Sequence, residues 1–244
     1  MFGFFNGNGK HAFIGRTVDS RAIMPAALET YRALAVALDH TRTGSSGRVL
    51  LVTSALPGEG KTLTCANLAM TLSSSLQKRV LVIEGDLRRP TLHKIFGTES
   101  KKGANDAGAG VAGGSVPRTL VAVTPTLSVL AATAPLQGDP VQTLGSPETL
   151  ALIERARINY DWVLVDSPPA ALVPDPNVLA RLADGVLFVI WTANTPFDAI
   201  RRGITAVGKE RIIGVVMNRA PSDMDDAAFK YYDRYYDHYS EAGV

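Results

Sequence analysis

The sequence predicts an α/β fold in which a parallel, doubly wound sheet carries helices on both faces. Three observations lead there. Six short apolar runs, "RVLLVTSA", "RVLVIEGD", "LSVLAA", "DWVLVDSPP", "GVLFVIW" and "IIGVVMN", recur along the chain. Helix-compatible sequence separates most of them, and a glycine-containing turn ending in Lys61-Thr62 follows the first. Continuous Val, Leu and Ile, with no alternation, mark strands buried on both faces, as a helix-covered parallel sheet requires.

In chain order, residues 1–24 show no hydrophobic period and contain Gly and Asn, so they read as a loose arm. After Met24-Pro25 the stretch "AALETYRALAVALDHTR" places Leu28, Tyr31, Leu34, Ala35 and Leu38 at helical spacing, and "TGSSG" closes this amphipathic helix. One α/β domain is expected over residues 25–222, and 244 residues are enough for it to bury a large core. Within it, "KKGANDAGAGVAGGSVP" at 101–117 is too rich in Gly and Ala to bury much and is expected to be a mobile surface loop. Residues 223–244 form a tyrosine-rich C-terminal tail, expected to be flexible.

Composition excludes several functions. A formal net charge of +2, with Lys and Arg spread along the chain, gives no field suited to nucleic acid. The single cysteine, Cys65, forms no internal disulfide; in an apolar helical run it reads as a small buried side chain in a reducing compartment. No stretch approaches the roughly 20 apolar residues of a membrane span, and "MFGFFNGNGKHAF" is no secretion signal. The expectation is a soluble, cytoplasmic protein.

The most specific motif is Ala55-Leu56-Pro57-Gly58-Glu59-Gly60-Lys61-Thr62, which fits G/A-x-x-x-x-G-K-[ST] between a strand and the helical run "TLTCANLAMTLSSSL". That context makes the sheet one of the P-loop NTPase type. The loop from Pro57 to Thr62 closes round phosphates at a helix N-terminus through the backbone N–H groups of Gly58 to Thr62, Lys61 reaches the β- and γ-phosphates, and Thr62 can bind Mg²⁺. ATP and Mg²⁺ are the expected ligands. Asp166 ends the run "YDWVLVDSPP" at the sheet's ligand edge and supplies an acid for the metal. A second acidic pair, Glu84 and Asp86 in "VLVIEGDLRRP", ends the strand after the P-loop helix. One of the two can serve the metal while the other accepts a proton from an attacking hydroxyl.

Five of the seven tyrosines, Tyr231, Tyr232, Tyr235, Tyr236 and Tyr239, crowd into "KYYDRYYDHYS". At about 100° per residue they fall within roughly 140° of a helix, a geometry open to a buried stripe. Tyr suits that stripe poorly, because each buried hydroxyl needs a partner. Interleaved Asp233, Arg234, Asp237 and His238 suit a solvated, reachable segment instead.

Together these motifs resemble the bacterial tyrosine kinases of capsule and exopolysaccharide synthesis, relatives of the cell-division and partition ATPases. "SALPGEGKT" matches the family's Walker A, "VLVIEGDLRRP" its modified second Walker motif and "YDWVLVDSPP" its Walker B; "LVPDPNVLARLADGVLFVI" and "IIGVVMNRA" match as well. The resemblance implies an autokinase whose substrate is the tyrosine tail, phosphorylated between neighbouring copies in a homo-oligomer. It implies Mg²⁺ at Thr62, Asp86 and Asp166, Lys61 on the transferring phosphoryl group, Glu84 as proton acceptor and Asn218 against adenine. It also implies a transmembrane polysaccharide chain-length regulator as activator, holding the protein at the inner membrane, and a cognate tyrosine phosphatase. Leu56 stands where partition-type ATPases carry an extra lysine. Ala35 replaces the last arginine of the family's E-x-x-R-x-x-R helix, Glu84 replaces the usual Asp, and Leu63 stands where many members have a hydroxyl. The alternative reading is a non-kinase ATPase switch with the tail as a docking segment.

Overall fold

A computed structural model describes residues 25–40, 47–98 and 118–219. The N-terminal arm, the 101–117 loop and the tyrosine-rich tail lie outside the described residues.

Burial on two faces organises the sheet. It comprises β1 (Arg48–Ser54), β2 (Val80–Glu84), β3 (Arg118–Thr124), β4 (Leu127–Ala132), β5 (Trp162–Asp166), β6 (Gly185–Trp191) and β7 (Ile212–Asn218), in the order β3-β4-β2-β5-β1-β6-β7. Every residue of β2 and β5 is buried, as is β1 after its first residue, which is why these segments read as unbroken apolar runs. The helices are α1 (Pro25–His40), α2 (Lys61–Leu76), α3 (Leu92–Ile95), α4 (Pro140–Leu144), α5 (Pro147–Asn159), α6 (Asp175–Leu182) and α7 (Phe197–Val207).

Two cores result, one on each face of the sheet. On one, Leu34, Ala35 and Leu38 of α1 and Leu68 and Leu72 of α2 pack over Val82, Val129 and Leu164. On the other, Ile153 of α5, Leu179 of α6 and Val207 of α7 pack with Leu51, Ile83 and Phe188. The indole N–H of Trp162 donates to Asp39 at 3.3 Å, and Lys78 pairs with the same carboxylate at 2.8 Å, tying α1 to the base of the sheet. Ala35 is fully buried, whereas Glu29 and Arg32 form an ion pair on the exposed side of α1. Among the described residues no helix is long and apolar enough to cross a membrane.

The expected set of six parallel strands lacks one member. "RTLVAVT" forms β3, which pairs antiparallel with β4 through the Pro125-Thr126 turn. It is an edge strand, mostly half-buried, and its mixture of Thr and apolar residues gives no continuous run to notice. Its direction matters for the site: because β3 runs against its neighbours, its first residue, Arg118, lies at the edge where the parallel strands end.

Candidate nucleotide and phosphoryl-transfer site

The phosphate loop starts where β1 ends. Gly58 and Gly60 adopt φ of +80° and +95°, the left-handed region in which a side chain is strained. Ser54 donates its hydroxyl to the Leu56 carbonyl at 2.8 Å, and the Leu56 N–H donates to the Glu59 carboxylate at 2.7 Å, so the loop is closed by its own residues. Pro57 and Gly58 form its exposed tip. Helix α2 then begins at Lys61 with no side-chain cap and no acid in its first turn, which leaves N–H groups and the positive end of the helix dipole for an anion.

The loop is also held from outside. Glu59 is buried, and the Thr195 hydroxyl, from the turn between β6 and α7, donates to its carboxylate. The Asn218 amide, at the end of β7, donates to the Glu59 carbonyl at 2.8 Å, while its oxygen accepts from the Arg219 N–H at 2.9 Å. Arg219 stacks its guanidinium 4.1 Å from the centre of the Trp191 ring. The Asn218 amide therefore joins the end of β7 to the loop, with its second N–H and a second oxygen lone pair left for a ligand. Thr195 and Trp191 belong to no motif, and only their closeness in the fold shows their part; Arg219 lies within "IIGVVMNRA", but nothing in that run foretells its stack on Trp191.

The acids meet below the loop because their strands do. Glu84 and Asp166 are register partners across β2 and β5, and Val52 of β1 is the next partner of Asp166. Lys61 Nζ lies 3.8 Å from Asp86 and donates to the Thr62 hydroxyl at 3.2 Å. Thus Lys61, Thr62, Glu84, Asp86 and Asp166 come together. Glu84 is fully buried; its Oε2 accepts the N–H groups of Thr91 and Leu92 at 2.8 and 2.9 Å, and its Oε1 has no partner. Burial, reinforced by the neighbouring charge of Asp166, pushes its pKa up to about 8. Burial likewise raises Asp166 to about 6, against the pull of Lys61 and Thr62. Asp86 is raised by burial, also against Lys61, and accepts the Arg89 N–H at 3.0 Å. Arg88 turns away from this cluster to a two-pronged pair with buried Asp175 of α6, at 3.0 and 3.1 Å.

A divalent cation fits these residues. Both carboxylate oxygens of Asp166 are buried, and although the Thr62 hydroxyl and the Ser167 N–H bear on them, neither oxygen meets a donor at proper hydrogen-bond geometry; such under-satisfied acceptors are costly unless something positive meets them. Among the described residues no group of three or more His, Cys, Asp and Glu could cage a metal. Mg²⁺ needs no such cage, since it keeps waters and takes one or two carboxylates together with substrate phosphates. Leu63, half-buried, follows Thr62 into α2. The five tail tyrosines lie outside the described residues.

A profile of the CobQ/CobB/MinD/ParA nucleotide-binding domain matches residues 50–237. The chain belongs to this family. Its relatives within this family include proteins named as bacterial tyrosine kinases. The chain is 30% identical over 192 residues to the tyrosine-protein kinase YwqD of Bacillus subtilis, covering 78% of this chain and 80% of YwqD. It is 33% identical over 228 residues to the succinoglycan biosynthesis transport protein ExoP of Rhizobium meliloti, covering 87% of this chain but only 28% of ExoP. The kinase domain of the Escherichia coli tyrosine kinase ETK superposes with a TM-score of 0.66 at 25% identity, covering 80% of this chain and 76% of that one. Membership of the nucleotide-binding family thus agrees with the fold of the sheet and its helices.

Proposed function

We propose that the protein is an ATP-dependent tyrosine kinase that phosphorylates Tyr231, Tyr232, Tyr235, Tyr236 and Tyr239 in a neighbouring copy of itself, and so regulates polysaccharide synthesis or export. The observation that carries this reading is the register pairing of Glu84 with Asp166 beside Lys61, in a chain that also carries five clustered tyrosines. Names of relatives such as YwqD and ExoP support both the activity and the pathway.

In this reading the loop from Pro57 to Thr62 binds the triphosphate through its N–H groups, and the Glu59–Thr195 and Glu59–Asn218 contacts keep it in shape. The tyrosine oxygen attacks the γ-phosphorus, the bond to the bridging oxygen of ADP breaks, and the products are phosphotyrosine and ADP. Lys61 offsets charge on the phosphoryl oxygens as they move. The tyrosine proton passes to Glu84 Oε1, the oxygen not engaged with α3, in the ionised form that Glu84 takes as pH approaches its raised pKa of about 8, so transfer should quicken toward that pH. Thr62, Asp86 and Asp166 would hold Mg²⁺, which supplies positive charge to the phosphate oxygens. A transmembrane chain-length regulator would activate the protein and hold it at the inner membrane, and a tyrosine phosphatase would reset it.

The test is incubation of the full chain with ATP and Mg²⁺, followed by peptide mass spectrometry. Phosphate on tail tyrosines, absent in Lys61→Met, is the expected result. ATP hydrolysis with no phosphotyrosine would replace the kinase with a nucleotide-driven switch.

A further inference from the structure

Arg118 is placed where a substrate would pass. It opens β3 and lies opposite Ala132, the last residue of β4, whose other neighbour β2 ends in Glu84. The phosphate loop follows β1, and its outer contacts come from the β6 and β7 side, through Thr195 and Asn218. The β4–β3 flank carries no nucleotide motif and remains for the second substrate. On that flank the Nε and Nη1 atoms of Arg118 are buried without hydrogen-bond partners, and no other Arg or Lys among the described residues has a nitrogen in that condition. Burial lowers the pKa of Arg118, and Glu84 is the charge that raises it again. Guanidinium nitrogens that have lost water and gained no partner cost folding free energy, so their retention calls for a return in binding.

The tail offers a matching group. The pattern Tyr-Tyr-Asp occurs twice in succession, as Tyr231-Tyr232-Asp233 and Tyr235-Tyr236-Asp237. Each aspartate stands one residue after a tyrosine. Two strand spacings, about 10 Å, separate β2 from β3; one step of extended chain covers about 3.5 Å of that, and the long tyrosine and arginine side chains cover the rest.

We infer that Arg118 is an anion-binding, specificity-determining residue for the acceptor polypeptide, gripping the carboxylate that follows the tyrosine being phosphorylated. The inference rests on the kinase reading for the identity of the acceptor. Nη2 shares one edge of the planar guanidinium with Nε and another with Nη1, so either orphaned nitrogen together with Nη2 can take a carboxylate through two parallel N–H···O bonds, a geometry that lysine cannot reproduce. It also offsets the repulsion that an acidic peptide would otherwise meet from Asp86 and Asp166. The preferred acceptor is therefore a tyrosine with an acid on its C-terminal side.

The test uses the full chain with its five tail tyrosines changed to Phe, so that an added peptide is the only tail acceptor. The probes are a peptide of residues 230–244 and the same peptide with Asp233, Asp237 and Glu241 replaced by Asn, Asn and Gln, both fluorescently labelled for anisotropy. Arg118→Gln is expected to weaken binding of the acidic peptide, and raise its KM, roughly tenfold, the scale of a charge-assisted pair. The kcat, the ATP affinity and the binding of the neutral peptide should hold steady. Arg118→Lys should fall between wild type and Gln. Thermal unfolding supplies a readout that a structural arginine would move the other way: Arg118→Gln and Arg118→Leu should melt at or above wild type. Equal loss of both peptides, a loss of ATP affinity, or a lowered melting temperature would each overturn the assignment. Because anisotropy needs no turnover, Arg118-dependent binding of the acidic peptide without transfer would count against the kinase reading and leave the anion site standing.

Discussion

The side-chain amide of Asn218 donates to the carbonyl of Glu59 at 2.8 Å, joining the last strand of the sheet to the phosphate loop. The fit is close: a Cβ at Gly60 would fall 2.1 Å from the Asn218 nitrogen. Asn218→Ala is expected to loosen the loop and cost about 1 kcal/mol of stability from the lost hydrogen bond, with nucleotide affinity falling by roughly tenfold. Calorimetric titration with ATP and GTP separates two roles. A parallel loss for both nucleotides is expected from a residue that holds the loop; a change in preference between them would show Asn218 contacting the base.

Lys61→Met should abolish phosphoryl transfer while leaving the melting temperature within a degree or two of wild type. The ammonium group pairs only loosely with Asp86, at 3.8 Å, and an unbranched apolar side chain suits the first turn of α2. Full autophosphorylation by the folded variant would remove Lys61 from the site.

The pKa shifts give the protein a pH-dependent stability before nucleotide binds. Glu84 is raised from 4.5 to about 8 and Asp166 from 3.8 to about 6, so the folded state holds their protons more tightly than the unfolded chain does. Their contribution is complete below the unfolded pKa values and is lost as pH rises through the folded ones, a loss on the order of a few kcal/mol by pH 8.5. Urea unfolding without nucleotide should therefore show stability falling from pH 5 to pH 8.5. In Glu84→Gln the upper part of that slope, above pH 6.5, should flatten. The same variant should transfer phosphate far more slowly while binding ATP nearly as well. Equal losses in rate and affinity would make Glu84 a binding residue.

Asp166→Asn is expected to stabilise the nucleotide-free protein, since it removes a buried charge whose oxygens meet no donor at proper hydrogen-bond geometry. ATP affinity should then lose its dependence on Mg²⁺. An unchanged Mg²⁺ dependence would place the metal elsewhere.

Six of the seven strands, all but β3, and the phosphate loop were legible because local rules mark them. Continuous Val, Ile and Leu mark strands sealed on both faces, and Gly58, Gly60, Lys61 and Thr62 answer to the phosphate at fixed spacing. Glu84, Asp86 and Asp166 could be read for the same reason: each ends or follows an apolar strand, and parallel strands bring such ends to one edge. β3 could not, because an edge strand half open to solvent need not be apolar throughout. The outer fastening of the loop was also invisible, since Glu59, Thr195 and Asn218 are brought together across 159 residues of chain and no spacing encodes their contact. Arg118 was missed with its strand: only the antiparallel course of β3 carries it to the ligand edge.

The two tryptophans are placed so differently that light can tell the molecule's two events apart. Trp162 is buried at the foot of β5 beneath α1, and its surroundings change only when the core opens. Trp191 is half-buried at the far end of β6, face to face with Arg219, one residue beyond the Asn218 that touches the phosphate loop. Nucleotide arriving at that loop should shift the Arg219 stack and alter the emission of Trp191 while Trp162 stays dark to it. A Trp191→Phe protein should keep the fluorescence change on unfolding and lose the one on adding ATP, so the chain carries its own pair of indicators, one for integrity and one for occupancy.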